Sequence, residues 1–133
     1  MTAPDETELV PLVEAARRVR EHAYAPYSEF RVGAAVRGQS GAVYVGCNVE
    51  NASYGATVCA ERAAIFAMVS ASERSFSAIA VYTESDELTM PCGMCRQVLY
   101  EFAEDAYVIV ANARRSRVAP FASLLPEPFL LER

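Results

Sequence analysis

Two short runs carry the strongest chemical signal in this sequence. The first is Cys59-Ala-Glu61 and the second is Pro91-Cys-Gly-Met-Cys95. Cys92 and Cys95 are three apart, so on a helical turn their thiols point to one side and can share a metal ion. Cys59 adds a third sulfur if the fold brings the two runs together. Three protein ligands on Zn²⁺ leave one tetrahedral position open, and a water held there becomes a nucleophile near neutral pH. That chemistry needs a proton carrier beside the water. Glu61 is two residues from Cys59 in a segment otherwise rich in Ala, Val, Ile and Phe. Burial there raises a carboxyl pKa and suits it to general acid–base work.

Both runs are expected to open helices. A helix N-terminus carries partial positive charge, which lowers a thiol pKa and favours thiolate. Three thiolates on Zn²⁺ leave a net charge of about −1. Nearby positive charge then helps to keep a bound water acidic. Arg62 follows Glu61 and Arg96 follows Cys95. Either can supply that charge by hydrogen bonding to sulfur.

The surrounding elements follow from periodicity and breakers. Apolar residues at intervals of three and four (Leu9, Leu12, Val13, Ala16, Val19) predict a helix over residues 8–22. Tyr24-Ala-Pro-Tyr-Ser28 breaks it, because Pro26 disfavours helix at the preceding residue. Strands are expected over residues 30–36 and 42–47, joined by the turn Gly38-Gln-Ser-Gly41. Residues 48–55 are polar and expected to form a loop. Residues 57–70 predict a buried helix with Thr57 as its N-cap, and residues 76–82 a buried strand. Residues 93–102 predict a third helix and residues 106–111 a further buried strand. Residues 118–129 carry a Leu-Leu-Pro bend. Helices alternating with apolar strands indicate an α/β sandwich whose sheet is partly parallel.

Composition narrows the function. The 133 residues suit one domain spanning 1–133, and 53% hydrophobic residues suffice for a core. Twelve basic and 17 acidic side chains give a formal charge of −5. An acidic chain gains nothing from counterion release on a nucleic-acid backbone. A small neutral substrate suits this charge better than a polyanion. The acidic, polar N-terminal residues 1–8 lack the basic start and apolar stretch of a signal peptide. No apolar run approaches the ~20 residues needed to span a bilayer. A cytoplasmic location is therefore expected, where the four cysteines stay reduced.

The pairing of C-x-E with P-C-x-x-C is the form the metal motif takes in zinc deaminases. From Tyr24 to Phe129 the chain resembles the small homotetrameric cytidine deaminases. The resemblance rests on Phe30-Arg-Val-Gly-Ala-Ala35, Gly46-Cys-Asn-Val-Glu-Asn-Ala-Ser-Tyr-Gly55, Cys59-Ala-Glu-Arg62, Pro91-Cys-Gly-Met-Cys-Arg-Gln97 and Leu124-Leu-Pro-Glu-Pro-Phe129. It implies a three-layer α/β/α sandwich with a five-stranded mixed sheet. It implies one Zn²⁺ per subunit on Cys59, Cys92 and Cys95, with Glu61 as proton shuttle. It further implies that Asn48 and Glu50 hold the ribose hydroxyls and that Phe30 packs near the pyrimidine. Ala52 and Tyr54 would reach a neighbouring subunit's site, and Phe129 would close over the base. The implied activity is hydrolysis of cytidine or deoxycytidine to the uridine nucleoside and ammonia, within pyrimidine salvage. The implied assembly is a homotetramer with sites at subunit interfaces. If Glu50 lies close to the sugar, its charge also disfavours a 5′-phosphate.

Other readings compete. Cys47 can complete a four-cysteine structural zinc site, although as the last residue of an apolar strand it is more simply core. Cys92-Gly-Met-Cys95 also fits a dithiol redox motif, which leaves Cys59, Glu61 and residues 48–50 unexplained. Asn48 and Glu50 can shape a turn instead of gripping a sugar. An aminonucleoside-antibiotic (blasticidin-type) deaminase shares the metal motif. A non-enzymatic, zinc-stabilised binding module needs no Glu61. His22, the only histidine, follows the first helix and is expected to be solvated.

Overall fold

In a computed structural model, which describes residues 3–132, one five-stranded sheet organises the chain. Met1 and Thr2, at the head of the acidic N-terminal segment, and Arg133 lie outside the described residues. The strands are β1 (Gly33–Gly38), β2 (Val43–Cys47), β3 (Phe76–Tyr82), β4 (Ala103–Ala111) and β5 (Ser116–Pro120). Their spatial order is β2-β1-β3-β4-β5. β3 and β4 are parallel and the other neighbours antiparallel. The sheet is therefore mixed, as expected. Three helices flank it: α1 (Val10–Arg20), α2 (Ala60–Ser70) and α3 (Gly93–Phe102).

Strand alternation builds three layers. Ala34, Val36, Ile79, Val81, Val108 and Val110 face one way and pack with Ala64, Ile65 and Met68 of α2 and Leu99 of α3. Ala35, Ala78, Ala80, Tyr82, Ile109 and Ala111 face the other way and pack with Leu12 and Ala16 of α1. The α1 side is built mainly of alanine, so that helix lies close to the sheet. A Cβ on Gly33 would sit 1.9 Å from the Ala16 carbonyl oxygen, so only glycine permits the approach.

Gly46 does the same for α2, the helix that begins just after Cys59. A Cβ there would lie 2.4 Å from the backbone nitrogen of Ala64. Gly46→Ala must push backbone away from backbone. We expect it to cost about 1–3 kcal/mol and to lower Tm by roughly 5–10 °C, read by thermal melting. Its zinc content should fall as well, because α2 carries part of the site.

Several boundaries differ from the sequence expectations, each for a local reason. β1 starts at Gly33 instead of residue 30, because Val32 N–H bonds to the Asn48 side chain and not to a neighbouring strand. α2 starts at Ala60, and its N-cap is Cys59, not Thr57. The Thr57 hydroxyl instead accepts from Asn51 N–H. β4 starts at Ala103, directly after α3, where residues 106–111 had marked only its buried part. The resemblance implied a fifth strand, but the residue pattern did not mark β5 at residues 116–120. It is short and mostly not buried, and its Arg117 and Pro120 hide the pattern. Among the described residues, no helix is long and apolar enough to cross a membrane.

Candidate active site

The three cysteines converge. Cys59, Cys92 and Cys95 place their Sγ atoms within 4.8 Å of one another. Sulfurs sharing one tetrahedral zinc at about 2.3 Å bonds sit ~3.8 Å apart, so closure needs only side-chain adjustment. Cys47 is not part of this group, which leaves three candidate ligands among the described residues and argues against the four-cysteine alternative. All four cysteines are free thiols.

Helix starts explain the convergence. Cys59 is the N-cap of α2 and Cys92 the N-cap of α3, each with extended backbone. Cys92 Sγ accepts the Cys95 N–H at 3.4 Å, which folds the second pair of sulfurs toward one side. Both helices pack on the same face of the sheet, so their N-termini meet there.

The site's electrostatics favour a bound cation. The Cys59 thiol is drawn down to about 5, first by a hydrogen bond from Cys95 and then, against its burial, by Arg62. The Cys95 thiol is pushed up, chiefly because it donates that bond to Cys59, and then by burial and the Glu61 charge. Three crowded sulfurs thus cannot all ionise without a cation among them, and a divalent ion of thiophilic character supplies it. Arg62 Nη2 donates to Cys59 Sγ at 3.5 Å and to the Thr57 carbonyl at 3.3 Å. Its Nε is buried without a hydrogen-bond partner, so the guanidinium has donor capacity to spare for sulfur. The donor set, its spacing and this unspent cation all fit zinc.

Arg96 has a different task from the one expected. It donates to the Pro91 carbonyl at 2.8 Å and to the Leu124 carbonyl at 2.8 Å, and so ties the residue before Cys92 to the C-terminal segment. Arg62 is the arginine bonded to sulfur. We expect Arg62→Gln to weaken zinc binding about 10–100-fold, measured by competition with a chelator, with the fold retained.

Glu61 stands in the first turn of α2 and is only 6% exposed. Burial pushes its carboxyl up to about 7, and the Cys59 charge adds to the rise. A carboxyl poised near neutral both accepts and returns protons.

Of the remaining expected residues, Glu50 and Tyr54 line one cleft, whereas Phe129 lies in a separate groove beside Tyr100. Residues 48–50 are stitched between Tyr24 and Val58 by backbone bonds, so they form extended chain and not the irregular loop expected there. Asn48 is buried; its Nδ2 donates to the Phe30 carbonyl at 2.7 Å and its Oδ1 accepts Val32 N–H at 2.9 Å. It thereby holds the backbone on both sides of Phe30's neighbour Arg31. The Glu50 carboxylate faces the 27–28 turn. Phe30 is 42% exposed, Tyr54 77% and Phe129 70%. Ala52 is exposed too. Tyr27 packs edge-on against Tyr54, ring centroids 6.2 Å apart. Tyr27, Ser28, Glu50, Asn51, Tyr54 and Thr57 line a cleft of about 360 Å³. A larger cavity of about 600 Å³ around Tyr100 and Phe121 shares no residue with either cluster. Ser28 and Tyr27, which line the smaller cleft and bond to Glu50, were not among the candidates read from the sequence. Their only sequence signal is Tyr24-Ala-Pro-Tyr-Ser28, a run whose Pro26 marks a helix break.

Three thiols set for one metal, with a buried carboxyl on the helix that Cys59 begins, mark this α/β/α chain as a zinc-site protein of hydrolytic type. The family model for the cytidine and deoxycytidylate deaminase zinc-binding region matches residues 7–111, and the chain belongs to that family. Over 123 residues it is 42% identical to the cytidine deaminase of Sporosarcina psychrophila, covering 91% of this chain and 90% of that one. Among solved structures it resembles the cytidine deaminase from Burkholderia pseudomallei, with a TM-score of 0.85 and 48% identity over 90% of this chain and 97% of that one. The cytidine deaminase from Mycobacterium tuberculosis superimposes with a TM-score of 0.79 at 39% identity, over 97% of this chain and 100% of that one.

Proposed function

We propose that this chain hydrolyses cytidine and deoxycytidine to uridine and deoxyuridine, releasing ammonia, with Glu61 as the proton carrier. The observation that carries the reading is the joint placement of three sulfurs within 4.8 Å and a nearly fully buried Glu61 on the helix that Cys59 begins. Cys59, Cys92 and Cys95 would hold the zinc. When bound, the ion acts as a Lewis acid that makes a water nucleophilic near neutral pH.

Glu61 takes a proton from the attacking water and delivers it to N3 of the base. The water oxygen bonds to C4. Glu61 then carries the second proton, from the hydroxyl now on C4, to the amine nitrogen. The C4–N bond breaks and ammonia leaves. One water is consumed and both its protons are placed. The carboxyl suits this duty because burial holds it near neutrality, where neither protonation state is costly. Arg62 supports the charge on Cys59.

Glu50 and Asn48 hold the ribose, an ionised acceptor beside an amide donor. The Glu50 charge disfavours a 5′-phosphate, which makes the substrate a nucleoside. Phe30 packs against the base, and Phe129 closes over it, excluding water. The working unit is a homotetramer with sites between subunits, to which Ala52 and Tyr54 contribute. The large exposed apolar side chains support that assembly, among them Val43 and Val45 on the edge strand, Phe66 of α2, Tyr54 and Phe129. The free thiols suit action in the cytoplasm, within pyrimidine salvage.

The test is direct. Zinc-loaded protein should lower the ultraviolet absorbance of cytidine and of deoxycytidine with stoichiometric release of ammonia. Fully loaded, folded protein that leaves both nucleosides intact contradicts the assignment.

A further inference from the structure

Glu50 lies on extended chain, yet its carboxylate is fixed from far away in sequence. Oε1 accepts Tyr27 N–H at 2.9 Å and Ser28 N–H at 3.2 Å. Oε2 accepts the Ser28 hydroxyl. Ser28 thus provides two of the three bonds and reaches both oxygens. A carboxylate gripped at both oxygens has its plane set, whereas a free glutamate side chain samples many rotamers.

The serine is itself held. Ser28 Oγ accepts the Phe30 N–H at 3.0 Å while it donates to Glu50. The left-handed Glu29, at φ 58°, lies between Ser28 and Phe30 in the bend that joins them. A hydroxyl that donates and accepts together has little freedom left to rotate. An ionised carboxylate offers about four acceptor sites. Three are occupied, which leaves capacity for about one further donor. Ser28 and Glu50 both line the 360 Å³ cleft.

We propose that Ser28 is a positioning residue for substrate binding: its hydroxyl and backbone N–H orient the Glu50 carboxylate so that its one spare acceptor site meets a ribose hydroxyl. The proposal rests on the reading of Glu50 as a sugar ligand. Ser28 does not touch the reacting atoms. Its bonds also hold the Glu50 carboxyl below its ordinary range, with the hydroxyl as the first cause, so the acceptor stays ionised. Tyr27 adds one backbone bond, which no side-chain change removes, and this sets Ser28 apart as the replaceable part.

The test uses zinc-loaded, full-length protein and two substrates. Cytidine carries the ribose hydroxyls; 2′,3′-dideoxycytidine lacks them. Ser28→Ala should raise KM for cytidine about ten-fold, the loss expected for a hydrogen bond to a charged group. Its kcat should stay within two-fold and its zinc content should be unchanged. Ser28→Thr retains the hydroxyl and should restore KM to within three-fold of the parent. With dideoxycytidine, parent and Ser28→Ala should have equal kcat/KM. If Ser28→Ala does not fold, Ser28→Cys, a weak donor of similar size, poses the same question.

An equal rise in KM on both substrates overturns the proposal, because a general loosening then explains it. Unchanged KM in Ser28→Ala, alongside a raised KM in Glu50→Ala, overturns it too and leaves Glu50 as the sugar ligand. Unchanged KM in both variants removes the Glu50 reading and the proposal together.

Discussion

Glu61→Ala is expected to keep its zinc and its fold while kcat falls about ten-thousand-fold, the upper range for loss of general acid–base catalysis. The proposed cycle moves two protons through one carboxyl, so no single step escapes the loss. Binding should suffer less, because ribose and base contacts lie on other residues. Zinc content should hold at one per chain, because the proposed ligands are Cys59, Cys92 and Cys95, whose sulfurs cluster, and Glu61 is not among them. Removing a buried carboxyl also spares the fold its desolvation cost, so the melting temperature should not drop. Glu61→Gln separates size from chemistry. It fills the same space and offers no proton, so it should be as inactive as the alanine variant. Cytidine absorbance, metal analysis and a thermal melt read all three. A variant turning over within ten-fold of the parent would remove Glu61 from the mechanism.

Cys95→Ala is expected to lose both metal and activity. Cys95 is fully buried beside the other two sulfurs, and its backbone N–H donates to Cys92 Sγ. With two ligands left, zinc affinity should fall by well over 100-fold, since even the loss of an indirect support costs 10–100-fold. Dialysed protein should carry almost no zinc and show no measurable turnover. Cys47→Ala is the matched control. Cys47 ends β2 outside the sulfur cluster, and burial alone raises its thiol pKa. Its variant should retain a full metal complement and activity within two-fold. Equal losses in the two variants would revive a four-cysteine site.

Much of this was legible in the sequence, and the pattern of what was not has physical causes. Residues 76–82 and 93–102 match β3 and α3 to the residue, because a buried apolar strand and a proline-led amphipathic helix each carry a complete local signal. The metal cluster was legible because its chemistry demands particular residue types at short spacing. Helix–strand alternation marks the α/β class and a partly parallel sheet, whereas the three layers were implied only by the family resemblance. β5 was not marked by the residue pattern, because an edge strand needs little apolar patterning. The start of β1 was misplaced because a side chain, Asn48, takes the place of a neighbouring strand at Val32. The grip of Ser28 on Glu50 spans 22 residues and depends on a turn and a strand meeting in space. No periodicity encodes such a contact. Arg96 looked equivalent to Arg62 by adjacency to cysteine. Only the fold shows that it bonds to two carbonyls, one of them on the distant C-terminal segment.

The proposed chemistry requires a metal that three sulfurs hold and a lighter atom completes. X-ray absorption at the zinc edge of the loaded protein measures that shell. The expected result is three sulfurs at about 2.3 Å and one oxygen or nitrogen at about 2.0 Å. A shell of four sulfurs would leave no corner for the reacting water and would contradict the account.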